Sequence, residues 1–97
     1  MTKENGFPIE DSVGTWFIET TLYGKNFIPQ IKEERESIGY TNVFTLQDEI
    51  KYKKLKGTIS ITGITVEFYK TRKSAIIGHK RCIRLLKLGL GPLDIIK

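Results

Sequence analysis

A chain of 97 residues, 39% hydrophobic and carrying a net charge of +5, has the size of one domain spanning 1–97 that buries about two thirds of its unfolded surface. One cysteine excludes an internal disulfide, and one histidine beside one cysteine excludes a four-ligand zinc site of nitrogen and sulfur donors, so neither a metal nor a cofactor is expected. No run reaches the roughly eighteen apolar residues of a membrane span, and MTKENGFPIEDSVG lacks the basic head and apolar stretch of a secretory leader, so an intracellular setting, cytoplasmic or nuclear, is expected.

Residues 1–13 are expected to form a flexible lead-in, and 14–70 an antiparallel β meander. In TWFIETTLYGKNFIPQI, Trp16, Ile18 and Leu22 alternate onto one face. A two-residue turn at Gly24 and Lys25 pairs Leu22 with Phe27 and Ile18 with Ile31, and glycine at the first central position suits the positive φ of a type II′ turn. Pro29 has no amide proton, which assigns the strand from Asn26 to Lys32 to an edge. KEERES reads as a charged connection.

The next segment, IGYTNVFTL, puts Ile38, Tyr40, Phe44 and Leu46 on one face, and a loop at Gln47, Asp48 and Glu49 sets Ile50 and Tyr52 opposite Leu46 and Phe44. In KGTISITGITVEFYK a turn at Thr62 and Gly63 pairs Ile61 with Ile64 and Ile59 with Val66. Three hairpins give a mainly β (α+β) fold of five or six strands whose apolar face needs a cover. One C-terminal amphipathic helix over 74–88 supplies it, capped by Ser74 and stopped by Gly89, with 89–97 as a tail that includes Pro92. At 100° per residue, Ala75, Ile76, His79, Cys82, Ile83, Leu85 and Leu86 share the inner half of this helix. Lys80, Arg81, Arg84 and Lys87 share the outer half, with Ile77 and Leu88 among them. Gly78 weakens the helix by about 1 kcal/mol relative to alanine.

Chemistry of a catalytic kind has thin support. His79 and Cys82 are three apart on a helix, the spacing of a thiolate beside an imidazolium. Both fall on the inner half, where a free cysteine packs as a small hydrophobe, and no enzymatic activity is expected. Glu33, Glu34 and Glu36 read as a solvated connection, and Asp48 with Glu49 as a turn. The glycines of LGLGP follow a helix, so the dipole there has the wrong sign for a phosphate.

The charge distribution carries more information. Residues 1–50 hold four Lys/Arg against nine Asp/Glu, and residues 51–97 hold twelve against two, a balance of −5 followed by +10. The 14 isoleucines and 12 lysines point to an AT-rich coding genome, but such a bias does not empty the second half of acids. Lys51, Lys53, Lys54 and Lys56 surround Tyr52, whose register assigns it to the core; Lys70, Arg72 and Lys73 adjoin Tyr69; the helix adds its own four cations. The expected role is a non-catalytic basic binding module for RNA or single-stranded DNA. Lys53, Lys54, Lys56, Lys70, Arg72, Lys73, Lys80, Arg81, Arg84 and Lys87 would meet phosphates, and Tyr69 would offer a stacking platform.

A second reading uses the same features. The basic helix followed by the apolar tail LGLGPLDII fits an anionic membrane surface, and halves of opposite charge fit a self-assembling homo-oligomer. The five residues GLGPL, Gly89 to Leu93, are similar to a short tail stretch of bornavirus matrix proteins. Those are small β-rich oligomers associated with membrane and RNA, and the likeness implies a viral, matrix-like structural protein.

Overall fold

The structure, a computed structural model, describes residues 6–45 and 63–96. Four antiparallel strands lie side by side in chain order: β1 (Ile9–Val13), β2 (Trp16–Leu22), β3 (Gly39–Thr45) and β4 (Ile64–Tyr69). Three helices accompany them, α1 (Lys32–Arg35), α2 (Arg72–Lys87) and α3 (Pro92–Ile95). The α+β class and the antiparallel meander hold; the expected five or six strands and single helix become four strands and three helices among the described residues.

The first hairpin is the main correction. The turn falls at Gly14 and Thr15, where Gly14 has a φ of 58°, and the register runs from Val13↔Trp16 to Ile9↔Thr20. Ile9–Val13, assigned by the sequence to a flexible lead-in, is therefore the edge strand. With β1 on one side of β2 and β3 on the other, no ladder position remains for residues 26–32. Instead, the Phe27 N–H donates to the Gly24 carbonyl at 3.1 Å and the Phe27 ring stacks on Tyr23 with centroids 4.1 Å apart. Gly24 needs no positive φ here. The chain then enters α1, where the Glu34 carboxylate accepts from the Gln30 N–H at 2.7 Å and the Ile31 N–H at 3.3 Å.

A second correction concerns which face of β3 is inside. Gly39, Thr41 and Val43 are buried toward α2, whereas Tyr40 and Phe44 alternate onto the far side. There Phe44 meets Phe17 from the neighbouring strand with centroids 5.0 Å apart. β3 pairs with β4 from Gly39↔Tyr69 to Val43↔Ile64, with a bulge opposite Thr41 and Asn42. Leu46, the 47–49 loop, Ile50, Tyr52, Ile59, Ile61 and Thr62 lie outside the described residues, and with them the expected pairings of the second and third hairpins. Gly63 itself has no positive φ.

α2 crosses all four strands. Its cap lies three residues earlier than expected, at Thr71 rather than Ser74: Thr71 Oγ1 accepts from the Ser74 N–H at 3.0 Å, and Ser74 Oγ accepts in return from the Thr71 N–H at 3.2 Å. Its end is as expected. Gly89 has a φ of 94°, its N–H reaches the Leu86 carbonyl at 3.0 Å and the Leu90 N–H reaches Leu85 at 3.2 Å, a Schellman closure. Pro92 then opens α3, which returns Pro92 and Ile95 to the interior. The core consists of Ile18, Val43, Val66, Cys82, Leu86 and Ile95, flanked by Trp16, Ile64, Ile83 and Leu85; Phe7, Tyr69 and Ala75 form a second cluster.

Candidate functional site

The buried stripe of α2 decides what the helix shows to solvent. Ala75, Gly78, His79, Cys82 and Leu86 recur at three- and four-residue intervals and face the sheet. The opposite side therefore carries Lys73, Lys80, Arg84 and Lys87, a line about 21 Å long at the helical rise of 1.5 Å per residue. Lys70 and Arg72 are exposed beside its N-terminal end. No acidic residue occurs anywhere in α2, and none of these six cations forms an ion pair among the described residues. Lys80, Arg84 and Lys87, with Ile83 and Leu88, line a shallow hollow of about 400 Å³.

Of the residues the sequence nominated, these six cations share the α2 side of the molecule. Arg81 is nearby, but its guanidinium is paired with the Glu67 carboxylate across the helix–sheet contact and is three-quarters covered. Lys53, Lys54 and Lys56 lie outside the described residues. Tyr69 is not an accessible stacking platform: it is 2% exposed, its hydroxyl bonded to Thr41 at 2.7 Å. Burial raises that hydroxyl to about 12, outweighing the opposing effect of the Thr41 bond. The remaining aromatic contacts, Phe17 with Phe44 and Tyr23 with Phe27 and Tyr40, are made by residues outside α2 and offer no stacking ring beside its basic line. Apolar side chains do interrupt the basic line. Ile77 is 53% exposed and Leu88 73%, and Ile76, expected inside, is also exposed.

His79 and Cys82 are both buried, as their place on the wheel required. They do not form a pair, because both ring nitrogens of His79 are taken: Nδ1 lies 2.7 Å from Thr20 Oγ1 and Nε2 lies 2.7 Å from Asp11 Oδ2. Burial pushes the Cys82 thiol up to about 11, although Arg81 pulls the other way, so thiolate is scarce at neutral pH. Thr20 continues to Thr41 at 2.5 Å, and Thr41 to Tyr69. An acid, an imidazole and a hydroxyl in a row have the composition of a nucleophilic triad, but here the hydroxyl, Thr20, is fully buried.

The sequence reading missed this polar chain. The available signal was that Thr20 shares the alternation of Trp16, Ile18 and Leu22, so a hydroxyl had to enter the core and find a partner there.

The acidic candidates act locally. Glu34 caps α1, and Glu36 lies 3.8 Å from Lys32 on the exposed surface. No group of three His, Cys, Asp or Glu is arranged for a metal among the described residues, and no helix there is long and apolar enough to cross a membrane. Comparison with protein-family models, with curated proteins and with solved structures finds no match.

Proposed function

We propose that this protein is a non-catalytic binding module whose α2 face grips the phosphate backbone of RNA or single-stranded DNA. The observation that carries this reading is the acid-free line of Lys73, Lys80, Arg84 and Lys87, extended by Lys70 and Arg72 and unpaired among the described residues. Phosphate contacts supply affinity and orientation with little sequence choice, and the lack of Phe, Tyr or Trp on α2 agrees with backbone contact over base stacking.

The test is fluorescence anisotropy with labelled single-stranded RNA and DNA across a salt series. About four contacts should give a slope of log affinity against log salt near −3, at roughly 0.7 per contact. Replacing Lys80, Arg84 and Lys87 together by alanine should make the slope shallower by about two and weaken all sequences alike. Binding no tighter than that of an unrelated domain with matched lysine content overturns the reading.

The exposed Ile77 and Leu88, with Leu93 75% exposed in the tail, favour a second reading in which the same face rests on an anionic membrane surface. Ile77→Ser with Leu88→Ser separates the two, since it should abolish vesicle binding and leave oligonucleotide binding in place.

A further inference from the structure

Between β2 and β3 the chain leaves the sheet, and the segment 23–38 puts apolar surface into solvent. Ile28 is 72% exposed, Ile31 46% and Phe27 37%. Large apolar side chains exposed this close together form a patch, and such patches mark contact surfaces.

α1 follows directly. With its C-cap it reads Lys32, Glu33, Glu34, Arg35, Glu36, and at 100° per residue Glu34 turns inward while the other four share the outward half. Accessibility agrees with this placement. Glu34 is half-buried and spent on the Gln30 and Ile31 N–H groups, and Lys32, Glu33, Arg35 and Glu36 are exposed. Lys32 and Glu36 approach only to 3.8 Å with more than half of each side chain in water, and Glu33 and Arg35 have no ion pair among the described residues.

The signs of these four charges are opposite about Glu34: Lys32 is matched by Glu36, and Glu33 by Arg35. A twofold axis beside Glu34 lays a second α1 antiparallel on the first, so Lys32 meets the partner's Glu36 and Glu33 meets the partner's Arg35, each pair occurring twice. A parallel approach sets like charge against like. The whole segment 23–38 holds Lys25, Lys32 and Arg35 against Glu33, Glu34 and Glu36 and is neutral, in a chain of net charge +5. Two copies can therefore meet here without the repulsion that a contact between two α2 faces brings. A polyanion or an anionic bilayer would face Glu33 and Glu36 at this place, so charge does not select either one.

We propose that α1, together with Ile28 and Ile31, is the contact surface of a twofold dimer of this chain. Burial of the isoleucines supplies the affinity, and the charge pairs, worth little individually in water, supply the register. The contact does not use the basic line of α2, so it stands or falls separately from phosphate binding.

Sedimentation velocity of the full chain over a wide concentration range should show a monomer–dimer equilibrium that goes no further. Ile28→Ser with Ile31→Ser should weaken it by about a hundredfold or more, since four apolar side chains per dimer lose their burial. Register is tested by charge. Lys32→Glu with Arg35→Glu makes α1 wholly acidic, and Glu33→Lys with Glu36→Lys makes it wholly basic. Each variant alone should stay monomeric at concentrations where the parent dimerises, and an equimolar mixture of the two should dimerise. These four positions are exposed, so both variants should keep the parent's circular dichroism, and they decide the matter even if the isoleucine variant fails to fold. A parent that is monomeric throughout, a dimer indifferent to the isoleucine changes, association that continues beyond two copies, an acidic variant that associates with itself, or a mixture that stays monomeric each overturns the proposal. Retention of a monomeric parent on vesicles through Ile28 and Ile31 gives the patch to a bilayer and overturns it as well.

Discussion

Gly78→Ala sets two physical effects of opposite sign against each other. Alanine in a helix interior is favoured over glycine by about 1 kcal/mol, so propensity alone expects a more stable protein. The structure expects the reverse. A β-carbon on Gly78 would stand 2.6 Å from Tyr69 Cζ and closer still to Cε1 and Oη. The ring cannot withdraw easily, because Tyr69 is buried on the sheet and tied to Thr41. Overpacking costs about 1–3 kcal/mol, and losing the Thr41 bond in a dry interior adds about 1–3 more. After the propensity gain, a net loss of about 2 kcal/mol is expected, or about 10 °C in melting temperature for a domain of this size. Urea titration of both proteins measures it. A double-mutant cycle with Tyr69→Leu locates the cause, since Gly78→Ala should cost far less once the ring is gone. A Gly78→Ala protein as stable as its parent, or more so, refutes the claim that ring contact sets the helix–sheet distance.

Four further expectations rest on the same structure. Cys82 should resist alkylation at pH 8 until the protein unfolds, because burial holds its thiol near 11, and Cys82→Ala should cost about 1 kcal/mol by loss of a small apolar group; rapid labelling of the native protein contradicts this. Tyr69, raised to about 12, keeps its proton after the unfolded chain has begun to lose it at 10, so the stability it contributes is whole below pH 10 and is lost as the pH rises from 10 toward 12. Urea midpoints against pH, with tyrosinate absorbance as the second probe, check that sign. Gly14→Val should destabilise the β1–β2 hairpin by about 1–2 kcal/mol because of the φ of 58° there. Gly24→Ala, in open space and without positive φ, should stay within about 0.5 kcal/mol of the parent.

The extent of this fold that is legible in the sequence follows the range of the forces involved. The sequence by itself determined what local chemistry decides: the alternation of Trp16, Ile18 and Leu22, the amphipathic course of α2, the glycine stop at Gly89, the inward place of His79 and Cys82, and the outward Lys80, Arg84 and Lys87. Caps, periodicity and left-handed glycines act over a few residues and leave their mark there. Only the tertiary structure decided which strands meet. The hairpin expected around Gly24 gives way to one around Gly14, because β2 has two edges and β1 with β3 fill them. It also decided which face of β3 is inside, because Thr41 and Thr20 are polar and a period-two pattern sends polar residues outward until a buried partner is known. His79, far off in the chain, is that partner, and a hydrogen bond across 59 residues has no local signature. The same holds for Tyr69, a plausible surface ring in sequence, which the missing side chain of Gly78 allows to lie against the helix.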